Sequence, residues 1–298
     1  MKSIVSYPER GEGGNNKYRG NCSPKLIEDL IVQFHVENIC DYMAGSFTTA
    51  DAAKAKGITS RCYDLNHGFD LMTMDLPERS EFTFWHPPYW NIITYSDNMY
   101  KADDVIKKYG FDPRVNDLSR AKTWEEFVKM QNYCMMKLYS GLETGGRLAV
   151  LMGDIKKSGR LYSQICDIVK PGTMEQIVIK AQHNCFSDKT EYSNRNFIPI
   201  CHEYLLIVRK DMPLIIQYSL NKSFETDIRD IKASSWRDVV REVLESIGHK
   251  ATLSEIYAAI EPYKKAKRNP HWKEKVRQTL QINRDFVSTE RGIWGLAA

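Results

Sequence analysis

The sequence predicts an α/β protein: an open, mostly parallel sheet covered by helices, followed by a small C-terminal winged-helix domain. Three observations predict it. A strand–loop–helix–strand unit runs from Val36 to Asn66. The aromatic and β-branched run Phe82-Thr83-Phe84-Trp85 reads as a buried strand, stopped by His86-Pro87-Pro88-Tyr89-Trp90. Three amphipathic helical patterns and a terminal hairpin follow Ser234.

The bulk composition suits a large domain with a smaller one. The chain has 298 residues, 42% hydrophobic and 27% charged. It has no run of about 18 apolar residues, so no membrane span is expected. Met1-Lys2-Ser3-Ile4-Val5 lacks an apolar signal core. The 7 cysteines are scattered, with no C-x-x-C pair, and the 7 histidines form no H-x-x-H pair. That pattern argues for a reduced, cytoplasmic setting without a structural metal. From Ser234 onward there are 12 Lys and Arg against 8 Asp and Glu, which accounts for the whole net charge of +4. A basic tail beside a neutral body points to nucleic acid.

In chain order, residues 1–23 read as irregular. Asn21-Cys22-Ser23 forms a turn of small polar side chains, and Ser23-Pro24 starts a helix from Lys25 to Phe34. Its N-terminus offers free N–H groups to a carboxylate or phosphate. Val36 to Asp41 is the first strand of the β-loop-α-β unit. The small-residue loop Ala44-Gly45-Ser46 and Thr48 lets a ligand approach the backbone, and an Ala-rich helix runs to Lys56, capped by Gly57. Thr59 to Tyr63 is the second strand, closing on Asp64-Leu65-Asn66. An acid in that place takes both hydroxyls of a ribose. The loop lacks G-x-G-x-x-G, so a pyrophosphate dinucleotide is disfavoured and an adenosyl ligand without phosphates fits better. The acid and apolar pair Asp70-Leu71 can hold the amino group and face of an adenine, or be an ordinary loop pair.

The two prolines after Trp85 remove two donors and fix two φ angles, so the chain leaves the sheet as a stiff turn. Such a turn at the carboxyl end of a strand suits a planar, amine-bearing ring. Beyond it come a helical segment ending at Gly110, an amphipathic helix from Thr123 to about Gly141, and a strand at Leu148–Met152. A helix near Leu161–Val169 is then expected, followed by strands Gln176–Ile179 and Glu203–Arg209. The polar loop between those last two strands carries Arg195 as a candidate DNA contact. Residues 211–233 read as a linker, with a helix near Asp227–Lys232. In the terminal domain a third helix, His271 to about Gln281, is the one expected in a major groove. Arg268, Lys273, Arg277, Gln278 and Asn283 are the candidate DNA contacts there. A protein-docking winged helix is the alternative.

The series Asp41-Tyr42-Met43-Ala44-Gly45-Ser46-Phe47-Thr48-Thr49, then Asp64-Leu65-Asn66, then His86-Pro87-Pro88-Tyr89, resembles the amino-group DNA methyltransferases that use S-adenosylmethionine. Tyr18 to Ser23 is similar to the upstream motif that closes over the methionine part of the cofactor. The resemblance covers roughly residues 17–210. It implies a Rossmann-like class I methyltransferase fold with a seven-stranded, mostly parallel sheet. It places the methyltransferase domain at 1–210; the residues beyond it read, from their own pattern, as a linker at 211–233 and a winged-helix domain at 234–298. It also implies a double-stranded DNA substrate with a flipped base, no metal, and a bacterial or phage setting in which a restriction enzyme can be associated. Phe47 stands where the resembled motif has glycine, and His86 where it has Asp, Asn or Ser.

By this resemblance the Pro87 carbonyl and His86 accept the two hydrogens of an exocyclic amine, and Tyr89 stacks on the base. A neutral imidazole accepts and an imidazolium does not, so activity is expected to fall at mildly acid pH. Adenine N6 is the first target and cytosine N4 the alternative. A catalytically inactive DNA-binding protein that keeps the fold, and methylation of RNA or another amine, are the other readings.

Overall fold

The computed structural model describes residues 1–183, 196–219, 223–227 and 234–297. Its strands begin with β1 (Ile4–Ser6), β2 (Asn38–Asp41), β3 (Thr59–Cys62), β4 (Ser80–Trp85) and β5 (Leu142–Met152). They continue with the hairpin β6 (Ile155–Lys157) and β7 (Arg160–Tyr162), then β8 (Lys170–Pro171), β9 (Thr173–Ala181) and β10 (His202–Arg209). Seven of these form one sheet in the order β1-β9-β10-β5-β4-β2-β3. Only β10 runs against the rest. This is the mostly parallel, Rossmann-like sheet that the sequence predicts.

Strand alternation sorts the core into two layers. Phe82, Phe84, Ala149, Leu151, Leu205 and Ile207 pack on the face covered by α1 (Pro24–Phe34) and α2 (Thr48–Lys56). Their neighbours Trp85, Leu148, Val150, Leu206 and Val208 pack on the opposite face. After α3 (Ala102–Tyr109), which buries Ala102 and Val105, α4 (Trp124–Ser140) covers that second face through Phe127, Cys134, Met135 and Leu138. A sheet buried on both sides explains why these strands read as continuous apolar runs.

Three expectations are corrected. The N-terminus is not wholly irregular: β1 adds to the sheet edge, parallel to β9. Three residues with one inward side chain, Val5, leave too short a pattern to read. The helix expected over Leu161–Val169 shrinks to Gln164–Asp167, because Ser158 (φ 51) and Gly159 (φ 76) turn β6 into β7 as a two-residue hairpin. The segment expected as a linker contains a second hairpin, β11 (Ile215–Ser219) and β12 (Ser223–Asp227), which pairs with β8. The helix expected near Asp227–Lys232 lies, but for Asp227, outside the described residues.

After Ser234, helices Trp236–Ser246, Leu253–Ile260, Lys264–Lys267 and Trp272–Ile282 surround their own core of Val239, Val243, Leu244, Ile256, Val276 and Leu280. Ser235 with Asp238, and Thr252 with Glu255, cap the first two of these helices reciprocally. The last strands, β13 (Lys250–Thr252), β14 (Phe286–Glu290) and β15 (Ile293–Leu296), pair in the order β13-β15-β14. Among the described residues no helix is long and apolar enough to cross a membrane.

An ionic seam joins this unit to the main sheet. Glu242 Oε1 accepts from Lys210 Nζ (2.5 Å) and from Arg79 (3.0 Å), and Arg79 also bridges to Glu245. Lys210 Nζ donates further to the carbonyls of Ser140 (3.0 Å) and Leu142 (2.9 Å). Arg237 donates to the carbonyls of Leu76 and Pro77. Arg79 precedes β4 and Lys210 follows the reversed β10, so the seam lies at the sheet edge opposite His86. The Lys210 side chain is 0% exposed and that of Glu242 is 1% exposed, so neither charge has water as a substitute partner. Breaking a buried pair from one side costs about 3–5 kcal/mol. Glu242→Ala is therefore expected to lower the unfolding free energy by that amount, read as a reduced urea midpoint. A midpoint unchanged from the parent protein would show that the seam carries no stability.

Candidate active site

The site begins where the parallel strands end. β2 delivers Asp41, whose Oδ1 accepts the Met43 N–H (3.0 Å) and whose Oδ2 accepts the Thr49 hydroxyl (2.6 Å). The loop then turns over β3. Ala44 N–H donates to the Tyr63 carbonyl (3.0 Å), and Gly45 N–H donates to Asp64 Oδ2 (2.9 Å). Asp64 Oδ1 accepts from the Asn66 N–H (2.9 Å), so one buried carboxylate ties the loop to the end of β3. Gly45 has φ 52, and a Cβ there would stand 2.9 Å from the Tyr18 ring. Both facts require glycine. Phe47 also adopts the left-handed region, at φ 61. The position where the resembled motif has glycine thus keeps a glycine-type path with a phenylalanine in it, at a cost of about 1–2 kcal/mol. Its ring stands edge-on to His67 at 4.7 Å.

Asp70 is fixed in the same manner. It accepts from Met72 N–H (2.9 Å), the Thr73 hydroxyl (2.7 Å) and Asn116 Nδ2 (2.6 Å). The buried Lys137 holds the carbonyls of Leu71 and Met74 from α4. The far wall is aromatic: Tyr18 and Tyr95 have ring centroids 5.9 Å apart, and Tyr100 lies beside them. Asp117 anchors that wall through the Ser96 hydroxyl (2.6 Å) and backbone N–H (2.9 Å).

One pocket gathers most of the sequence-predicted residues. Asn21, Cys22, Asp41, Ala44, Gly45, Ser46, Thr48, Asp64, Asp70 and Leu71 line it, and so do His86 and Pro88. Ser23 and Asn66 stand behind the wall. The Ser23 hydroxyl donates to the Arg10 carbonyl (2.7 Å). Asn66 contributes its backbone N–H to Asp64. Pro87 is buried, and Tyr89 lies outside the lining, its ring against Gly153. Tyr18 opens the motif that runs to Ser23, while Tyr95, Tyr100, Asn116 and Asp117 line the same pocket without a motif of their own in the sequence. The tyrosine-rich stretch 95–100 was the available signal for the far wall. Among the remaining candidates, Arg268, Lys273, Arg277 and Gln278 are exposed in the C-terminal unit, Arg277 paired with Glu274 (3.2 Å). Asn283 donates to the Thr279 carbonyl (2.7 Å) as a helix end. Arg195 lies outside the described residues. No group of three His, Cys, Asp or Glu among the described residues is placed to hold a metal ion.

Burial dominates the electrostatics. It raises the carboxyl of Asp64, against donors from Gly45 and Asn66. It pushes the Cys22 thiol up to about 12, which leaves that sulfur a thiol rather than a nucleophilic thiolate. It pushes His86 down to about 4, against the opposite pull of Glu203. The imidazole is therefore neutral through the mildly acid range, and its protonation moves to lower pH than the sequence reading expects.

No family model matches the chain, and no match is found among curated proteins. Among solved structures, the chain is similar to a putative DNA modification methylase from Thermus thermophilus. The identity is 17%, the TM-score 0.27, and the match covers 59% of this chain and 53% of that one. It is also similar to TrmN from Thermus thermophilus, at 13% identity and TM-score 0.30, covering 65% and 51%. A third is an S-adenosylmethionine-dependent methyltransferase from Clostridium acetobutylicum, at 9% identity and TM-score 0.28, covering 63% and 90%. The chain spans about half the length of the first two.

Asp41 gives the pocket a measurable signature. Burial raises its carboxyl from 3.8 to about 7, while the Thr49 hydroxyl and the Met43 N–H pull it down. A carboxyl that holds its proton more tightly folded than unfolded adds stability at pH below about 4, and that stability is lost as pH rises through about 7. Thr49→Val removes the larger lowering contact, so the Asp41 midpoint in a carboxyl-carbon NMR titration should move upward. An unchanged or lower midpoint would contradict the assigned contact.

Proposed function

We propose that the chain is an S-adenosylmethionine-dependent methyltransferase acting on the exocyclic amine of a DNA base, adenine N6 before cytosine N4. The observation that carries this reading is the single pocket that joins the Asp41–Thr48 loop, Asp64 and Asp70 to His86 and Pro88. Its lining includes Asp41, Asp64, Asp70 and Asp117 together with four tyrosines, Tyr18, Tyr42, Tyr95 and Tyr100. An acidic, aromatic surround disfavours a pyrophosphate and favours a cation. A sulfonium-bearing adenosyl ligand meets both conditions.

In this reading Asp64 takes the ribose hydroxyls, Asp70 and Leu71 take the adenine, and Asn21 and the start of α1 take the amino-acid end. When bound, S-adenosylmethionine supplies an electrophilic methyl group. The chain's own residues prepare the amine. Its lone pair is delocalised into the base, and acceptors on both hydrogens favour the pyramidal form. The Pro87 carbonyl and the neutral His86 ring are those acceptors. Fixing the amine in line supplies much of the rate. The base must leave the duplex to enter the pocket.

The C-terminal unit is assigned as a winged-helix domain that holds duplex DNA through Arg268, Lys273, Arg277 and Gln278. Their exposure supports this role.

A labelled-methyl assay on duplex DNA tests the proposal. Transfer to DNA is expected, lost by a factor of about 10² or more in His86→Ala with cofactor affinity unchanged. The double variant Lys273→Ala, Arg277→Ala should raise the DNA KM and leave kcat in place. Cofactor binding without any transfer to DNA would favour a non-catalytic DNA-binding protein instead.

A further inference from the structure

A chain of hydrogen bonds runs from the catalytic turn into the sheet. His86 Nε2 lies 3.0 Å from the Tyr89 hydroxyl oxygen. The Tyr89 hydroxyl donates to Glu203 Oε1 at 2.6 Å. Lys180 Nζ donates to Glu203 Oε2 at 2.6 Å. Glu203 and Lys180 sit opposite each other on β10 and β9. Their side chains are only 10% and 11% exposed, which fixes both partners in place.

The donor inventory sets the direction of every bond. An ammonium has only protons to give, and a carboxylate has only lone pairs. Tyr89 has one proton and spends it on Glu203. Its oxygen can then only accept, so His86 must donate from Nε2. The second ring nitrogen, Nδ1, keeps its lone pair and has no hydrogen-bond partner among the described residues. A carboxylate at this turn would accept without assistance. A histidine is ambivalent, since either nitrogen can carry the proton. Its use as an acceptor requires something to choose the tautomer.

We propose that the Glu203–Lys180 pair is a positioning device which, through Tyr89, locks His86 in the Nε2–H tautomer and leaves Nδ1 as the acceptor for the substrate amine. The acceptor role rests on the function proposed above; the tautomer lock does not. The remaining charges agree with it. Against the burial that would raise it, the Lys180 ammonium holds the Glu203 carboxyl below its usual range, so it stays an acceptor. The Tyr89 hydroxyl is raised well above its usual range by burial and by Glu203, so it keeps its proton.

Glu203→Gln makes a sharp test, because it should reverse the chain. Lys180 can donate only to the amide oxygen, which turns the amide NH2 toward Tyr89. Tyr89 must then donate to His86 Nε2, and the ring proton moves to Nδ1. Long-range proton–nitrogen NMR of 15N-histidine-labelled protein distinguishes the two tautomers directly. The parent protein is expected to show His86 as Nε2–H. Glu203→Gln should show Nδ1–H, with cofactor affinity intact and methyl transfer reduced about 10²-fold. Tyr89→Phe, which cuts the chain, should give an averaged pair of tautomers. An Nδ1–H ring in the parent protein, or a tautomer unmoved in both variants, overturns the lock. A correct tautomer pattern without methyl transfer in any form would instead sink the amine-methylating reading while leaving the lock standing.

Discussion

The parallel pairing of β2 with β3 and β4 is the constraint on which the site depends. Asp41 is opposite Cys62 on one side and Phe84 on the other. That register places Asp64 and His86 each two residues beyond Asp41's own level. The Asp64 carboxyl and the His86 ring therefore meet at one end of the sheet. A slip of one residue would turn Asp41 from the pocket edge into a core layer and bring Cys40 out in its place. The apolar alternation of Phe82, Phe84 and Trp85 between two packed faces is what forbids that slip.

Most of the sheet was legible because buried parallel strands announce themselves as apolar runs bounded by turns. The small-residue loop after Asp41, the acid at Asp64 and the double proline after His86 were legible for the same reason: each breaks a strand in a chemically specific manner. What stayed hidden has physical causes too. β1 is short and edge-placed, so it has almost no pattern. The β6–β7 hairpin depends on left-handed backbone at Ser158, which residue type does not advertise. The aromatic wall of Tyr18, Tyr95 and Tyr100 comes from segments far apart in the chain, and only folding brings them together. Lys180 and Glu203 carried one weak signal, charge within strands that are otherwise apolar.

Buried charge does two different jobs in this chain. At the seam, Lys210, Glu242 and Arg79 connect the C-terminal unit to the lower edge of the sheet. Near the turn, Lys180 and Glu203 reach toward the upper edge and end on His86 through Tyr89. A single ion pair buried among apolar strands is weak evidence of stability, because desolvation offsets much of its attraction. Its value lies in fixing direction, since a charged partner allows each hydrogen bond only one polarity. Histidine at the head of the proline turn is intelligible on those terms. In the proposed reading it serves as an acceptor once the groups behind it decide which nitrogen carries the proton.

The proposed ligand of the pocket is an adenosyl group without a polyphosphate. Calorimetric titration of the chain with S-adenosylmethionine and, separately, with ATP addresses it most directly. The account predicts saturable one-to-one binding of S-adenosylmethionine, lost in Asp64→Ala and in Gly45→Val, and no measurable heat of binding with ATP. ATP binding that disappears in the same two variants, or S-adenosylmethionine binding that survives both, would contradict it.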